Sequence, residues 1–269
     1  MHLAIDVGNS ETVAGLGQGT DWLARWRLAT DARRTADELC IALGNLFRMD
    51  GHSPAHVDGV VISSVVPVVT QVMVDGCRRL FAPPPLLVGP GVRTGMAVRY
   101  DPPNALGSDR LADALAARQL YGAPVIAVDF GTATTFNVVD PDGNFAGGAI
   151  APGIGVAAEA LAESGARLRP VDLAAGKDFP LIGRTTDQSM RSGVLFGYAA
   201  LVDGLLDHLC ATLAARHGIV ADHVPVVATG GMAAVMASLI RSGATVNPDL
   251  TLEGLRLILN FAQSEPRAT

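Results

Sequence analysis

Lysine is almost missing from this sequence: the 269-residue chain holds one, Lys177, in Gly176-Lys177-Asp178. A Walker-type phosphate loop needs lysine followed by serine or threonine, so that device is excluded. The dinucleotide fingerprint is missing too. No strand-like segment runs into a G-x-G-x-x-G that opens a helix, and the glycine-rich GGAIAPGIG (147–155) carries a proline inside, which argues against an oxidoreductase. Cysteines are three and widely spaced, Cys40, Cys77 and Cys210, a number that suits reduced thiols better than a disulfide framework or a metal knot. Positive charge is in deficit: the net charge of −6 disfavours nucleic acid or an acidic membrane surface as partner. No uninterrupted apolar run approaches the ~20 residues of a membrane helix. The opening MHLAIDVGN has no basic segment and meets an acid at Asp6, unlike a signal peptide. These absences predict a soluble, cytoplasmic protein that engages neither nucleic acid nor membrane.

What is present is a repeat. AIDVGNSETV (4–13) and AVDFGTATTF (127–136) share one plan: an apolar run, an aspartate, an apolar residue, a glycine, then a cluster of hydroxyl residues. The elements around each copy follow the same order. In the first half, strands are expected at 2–7, 12–16 and 22–28. A helix over 35–48 follows, opened by the capping-box pattern Thr35-Ala-Asp-Glu38, then a buried strand at 59–63, a helix from Pro67 to about Phe81 and a strand at 85–88. In the second half, strands are expected at 124–129, 134–139 and 144–150. A long helix over 186–217, a strand at 225–229 and helices near 232–241 and 252–262 complete it. The polar, proline-spaced stretch 164–183 reads as a loop. Apolar content of 49% is ample for two modest cores. The pattern predicts two similar α/β halves, residues 1–122 and 123–269, around a central cleft.

Two glycine-bearing bends facing one cleft suit a polyphosphate, because glycine lets backbone N–H groups approach phosphate oxygens and neighbouring hydroxyls add donors. Asp6 and Asp129 cannot touch phosphate directly, since like charges repel. They must act through a cation or water, which points to metal-assisted nucleotide binding with Gly8, Asn9, Ser10, Gly131 and Thr132 as the cradle. A third glycine bend, Ala228-Thr-Gly-Gly231, follows a late strand. For the phosphoryl acceptor, the informative segment is YDPPNALGSDR (100–110). Asp109 falls in the first turn of an expected helix, 108–120, where an acid also serves simply as a favourable partner of the helix dipole. A hydroxyl acceptor needs a carboxylate to take its proton, and Arg110 can hold a substrate carboxylate through two parallel hydrogen bonds. On the residues alone both roles for Asp109 stand. So do three function classes: a kinase for a small acid, another phosphotransferase or hydrolase of the same architecture, and a nucleotide-binding regulator without turnover.

IDVGNSETV, ISSVVP (62–67), GPGVRTG (89–95), YDPPNALGSDR, VDFGTATTF, GGAIAPG (147–153), IGRTT (182–186), ATGG (228–231) and PDLTLEGLRLI (248–258) together resemble the type III pantothenate kinases, in the same order along the whole chain. The resemblance implies a duplicated actin-like (ribonuclease H-like) ATPase fold, a homodimer, and ATP-dependent phosphorylation of pantothenate, the first step of coenzyme A biosynthesis. It implies that the loop Asp6, Val7, Gly8, Asn9, Ser10, Glu11, Thr12 and Val13 binds the nucleotide phosphates, with Thr132 a further ATP contact. It implies Mg²⁺ held through water by Asp6, and a monovalent cation, K⁺ or NH₄⁺, at Asp129. Asp109 is then the general base, and Tyr100, Gly107, Ser108, Asp109, Arg110 and Thr186 contact pantothenate. The chain departs from the family pattern at Ser10, Glu11, Arg93, Ser108 and Thr185. Glu11 is the departure that adds charge beside the phosphates.

Overall fold

The computed structural model describes residues 1–165, 168–173 and 180–264; the expected loop over 164–183 lies partly outside the described residues, as does Lys177. Ten strands and seven helices are set out along the described chain. The first part holds β1 (His2–Val7), β2 (Glu11–Gln18), β3 (Asp21–Ala29), α1 (Ala36–Met49), β4 (Gly59–Ser64), α2 (Pro67–Leu80), β5 (Leu86–Leu87) and α3 (Ser108–Tyr121). The second holds β6 (Val125–Phe130), β7 (Ala133–Val139), β8 (Phe145–Pro152), α4 (Ile154–Ser164), α5 (Thr186–His217), β9 (Val226–Thr229), α6 (Ala233–Ala237), β10 (Thr245–Val246) and α7 (Leu250–Ser264). The chain forms two compact units: Met1–Ala116 together with α7, and Ala117–Asp249.

Each unit is built on one five-stranded mixed sheet. In the first the order is β3-β2-β1-β4-β5, antiparallel through the two hairpins and parallel from β1 to β4 to β5. In the second it is β8-β7-β6-β9-β10 with the same senses. Two sheets with one order and one pattern of strand directions make the repeat structural. This is the duplicated actin-like, ribonuclease H-like α/β fold.

Local chemistry explains the elements. Thr35 caps α1: its Oγ1 accepts from Glu38 N–H at 3.3 Å while the Glu38 carboxylate accepts Thr35 N–H at 2.8 Å, the reciprocal capping box. Pro67 opens α2 at the position where a missing N–H is harmless. Leu39, Leu43 and Phe47 recur at helical spacing and enter the first core with Leu3, Ile5 and Ile62. In α5, Thr185 accepts Gln188 N–H at the start, and Gly218 with φ of 66° ends the helix left-handed. By length and composition α5 is apolar enough to cross a membrane, yet Leu195, Tyr198, Val202 and Leu206 stand in the core of the second unit. One face of the helix packs in that core, and 33% of its most apolar stretch is buried.

Two elements escape the sequence pattern. α4 follows Gly153 immediately, and its first residues lie inside the glycine- and proline-bearing GGAIAPGIG, which does not read as the start of a helix. β10 is two residues long. The helix expected over 232–241 is also shorter, since α6 spans Ala233–Ala237 and Ser238 closes it.

Candidate active site

The first acid bend is a short hairpin. Asp6 pairs antiparallel with Val13 of β2 and, on the other side, in parallel with Ser63 of β4. Gly8, Asn9 and Ser10 form the turn, closed by Gly8 N–H donating to the Glu11 carbonyl at 3.0 Å. Asn9 and Ser10 are exposed at its tip. The residues expected to bind phosphate therefore divide. Val7 is buried at the end of β1, and Thr12 is buried with its hydroxyl 2.9 Å from that of Thr30. Val13 is half-buried in β2. Glu11 pairs with Arg27 at 2.9 Å on the outer strand, which matches its charge there.

The second bend repeats this plan inside the second unit. Asp129 lies one residue from the end of β6, opposite Thr135 of β7 and Thr229 of β9. In both units the acid's parallel neighbour is a hydroxyl residue, Ser63 in one and Thr229 in the other. Gly131 N–H donates to Ala133 O at 3.1 Å, and Gly153 N–H to Thr132 O at 3.0 Å, so GGAIAPG closes over the Gly131–Thr132 turn. Gly230, at φ of 88°, lies so near that a Cβ there would overlap Oδ1 of Asp129 and approach the Phe130 backbone at 2.7 Å. A Cβ on Gly131 would stand 3.5 Å from Oδ2 of the same carboxylate. A hard oxygen donor with no side chain crowding it from 131 or 230 fits an oxygen-coordinated cation. Asp6, in the matching position of its own sheet, offers the same donor type.

The third group of predicted residues comes together at the start of α3. Asp109 is in the first turn, and its Oδ1 accepts the N–H of Arg110 at 2.8 Å. A Cβ on Gly107 would overlap that same oxygen, so the carboxylate is folded back over residue 107 and needs glycine there. Burial pushes the Asp109 pKa up, an effect that the Arg110 N–H and guanidinium only partly offset. The buried Arg110 guanidinium lies 5.6 Å from the centroid of the Tyr100 ring. Ser108 is buried, 2.9 Å from the Ser63 hydroxyl, and its Oγ accepts Ser64 N–H at 3.2 Å.

Beside this turn is a cavity of about 750 Å³, lined by Ser64, Val88, Pro90, Leu106, Gly107 and Ser108 among others. Asp109 and Arg110 are not among its lining residues; they follow on round the helix. Of the predicted contacts, Tyr100, Gly107, Ser108, Asp109 and Arg110 are neighbours in the first unit. Thr186 is an exposed residue at the start of α5 in the second. The residues that sequence reasoning left without a role are Ser63 and Ser64. Their one visible signal was the hydroxyl pair inside ISSVVP, at the end of a strand otherwise wholly apolar.

The family model for type III pantothenate kinase matches residues 2–208. A type III pantothenate kinase from Thermobifida fusca is 43% identical over 259 residues, 96% of this chain and 98% of that protein. One from Roseiflexus castenholzii is 45% identical over 258 residues, again 96% of this chain and 98% of the relative. Among solved structures, a conserved Baf family protein from Campylobacter jejuni superposes with a TM-score of 0.59 at 18% identity, covering 98% of this chain and 100% of that one. An activator of 2-hydroxyisocaproyl-CoA dehydratase from Clostridium difficile gives 0.52 at 13%, covering 100% and 98%. The structural likenesses bear on fold alone. The match of sequence across nearly the full length decides the rest: this chain belongs to the type III pantothenate kinase family and is an enzyme of the kinase class.

Proposed function

We propose that the chain transfers the γ-phosphoryl group of ATP to the primary hydroxyl of pantothenate, giving 4'-phosphopantothenate, with Asp109 as the general base. The observation that carries this reading is the carboxylate of Asp109. It is folded over Gly107 at the start of α3, bonded to the Arg110 N–H, and raised in pKa by burial. A base works best when its pKa approaches the working pH, and a raised carboxylate is a better proton acceptor than an ordinary one. Arg110, held over Tyr100, takes the substrate carboxylate. Gly107 and Ser108 contact the acceptor beside the cavity, and Thr186 adds a hydroxyl contact to it.

The turn Gly8–Asn9–Ser10 offers backbone and hydroxyl donors to the triphosphate, with Asp6, Val7, Glu11, Thr12 and Val13 framing it. Thr132 contacts the nucleotide from the second acid bend. Asp6 holds Mg²⁺ through water and Asp129 holds a monovalent cation, K⁺ or NH₄⁺. When bound, these ions offset phosphate charge in a sequence whose one lysine lies in no phosphate motif. The enzyme acts in the cytoplasm as a homodimer.

Asp109→Asn tests the assignment. ADP release with saturating pantothenate should fall by roughly 10²–10⁴-fold. Nucleotide affinity should hold, and the parent's pantothenate-dependent signal should be larger in potassium than in sodium buffer. Turnover near the parent's in Asp109→Asn would remove the base.

A further inference from the structure

Four hydroxyl groups gather where the end of β4 meets the start of α3. Ser63 Oγ lies 2.9 Å from Ser108 Oγ, and Ser64 N–H donates to Ser108 Oγ at 3.2 Å. Ser64 Oγ is in turn 2.7 Å from Thr70 Oγ1 in the first turn of α2. The Thr70 hydroxyl also donates to Val66 O at 2.9 Å, which closes the β4–α2 turn on itself. Ser63 is fully buried and Ser108 nearly so. The buried pair matters because loss of the Ser108 hydroxyl would take a partner from both the Ser63 hydroxyl and the Ser64 N–H in a dry site.

The placement gives the pair a purpose. Ser63 is the parallel neighbour of Asp6, and Ser108 is the residue before Asp109. One hydroxyl bond thus joins the strand beside the nucleotide-side carboxylate to the helix turn that carries the acceptor-side one. The Asp109 carboxylate has little freedom of its own. It bonds the adjacent N–H and rests on Gly107, so it moves with the first turn of α3 as a body. Where that turn sits against β4 is set by Ser108.

We propose that the Ser63–Ser108 hydroxyl bond is a positioning contact for phosphoryl transfer: it holds the first turn of α3, and with it Asp109, at a fixed place relative to the end of β1 and Asp6. In this role the two hydroxyls act through Asp109 and not on the transferred group, whereas the acceptor contact of Ser108 would show in the KM for pantothenate. This rests on the assignment of Asp109 as base.

The test uses the full-length enzyme and four variants: Ser63→Ala, Ser108→Ala, Thr70→Val and Asp109→Asn. Misplacement of a reacting group by about 1 Å costs on the order of 10²-fold. Loosening by loss of one hydroxyl should lower kcat by roughly 10- to 100-fold in each serine variant, with the KM for ATP changed less than about threefold. The double variant Ser63→Ala/Ser108→Ala should lose no more than Ser108→Ala, because that substitution already removes the shared bond. Thr70→Val breaks the neighbouring hydroxyl pair and leaves Ser108 alone, so its kcat should match the parent. A serine variant with normal kcat beside an inactive Asp109→Asn overturns the positioning role and leaves the base standing. An active Asp109→Asn overturns the base reading and this inference with it. A fall in kcat that Thr70→Val reproduces, or one that only tracks a fall in the unfolding midpoint, shows a merely structural contact and also overturns the inference.

Discussion

Gly107→Ala isolates the position of one carboxylate with almost no change elsewhere. The backbone at 107 is not left-handed, so alanine meets no strain in the main chain, and the added methyl confronts one group: Oδ1 of Asp109, inside the 3.0 Å that real Cβ atoms keep. Ordinary contact begins at 3.4 Å, so the carboxylate must retreat by about 1 Å, a displacement that costs a catalytic group on the order of 10²-fold. That corresponds to ~2.7 kcal/mol of activation free energy. The fold should be nearly indifferent. The methyl meets side-chain atoms alone and no main chain, and exchanging glycine for alanine where the backbone permits shifts stability by only about 0.4–1 kcal/mol. The expectation is a kcat near one-hundredth of the parent with an unfolding midpoint within a few degrees of it. Steady-state ADP release, coupled to pantothenate, and a thermal melt on the same sample measure both. A Gly107→Ala enzyme with kcat within threefold of the parent would refute the reasoning, since the group displaced would then not be one whose place sets the rate.

Other outcomes follow from the same geometry. Gly230→Ala meets both a left-handed backbone, worth roughly 1–2 kcal/mol to a residue with a side chain, and the fixed Phe130 main chain. It should lower the unfolding midpoint and flatten the response of activity to potassium titration. Asp203 presents a pH signature. Burial alone would raise its carboxyl, but the N–H groups of Arg241 and Ser242, the Ser242 hydroxyl and the Arg241 side chain hold it below 3.8. A lowered carboxyl stabilises the fold above its unfolded value and loses that stabilisation as pH falls through the folded one. Melting midpoints of the parent and Asp203→Asn should therefore differ near neutrality and converge below about pH 3.8. Asp109 runs the other way. As a base with a raised pKa, it should place the acid limb of kcat/KM above 3.8, and Asp109→Asn should abolish that limb in the residual activity.

Much of this was legible in the residues. The acid bends stood out because Asp6 and Asp129 interrupt apolar runs at the same place in two copies of one motif. The α1 boundary was written in Thr35 and Glu38, whose reciprocal bonds are local and need no tertiary help. The start of α3 was similarly plain, with Asp109 in its first turn. α4 was not legible, because its start is hidden in the glycine- and proline-bearing GGAIAPGIG, and β10 is too short to show a period.

Local chemistry along the chain, then, decided the kind of elements, their order and the repetition of the two sheets, since hydrophobic period, caps and glycine bends act over a few residues. Tertiary structure alone decided what meets across long separations. It placed α7 on the first sheet, where Trp22 Nε1 donates to Glu253 Oε1 at 2.7 Å from 231 residues away. It set Gly230 against Asp129 and Ser63 against Ser108. No local signal specifies such pairs, because they arise only when separately formed elements pack and a buried polar group must find its partner.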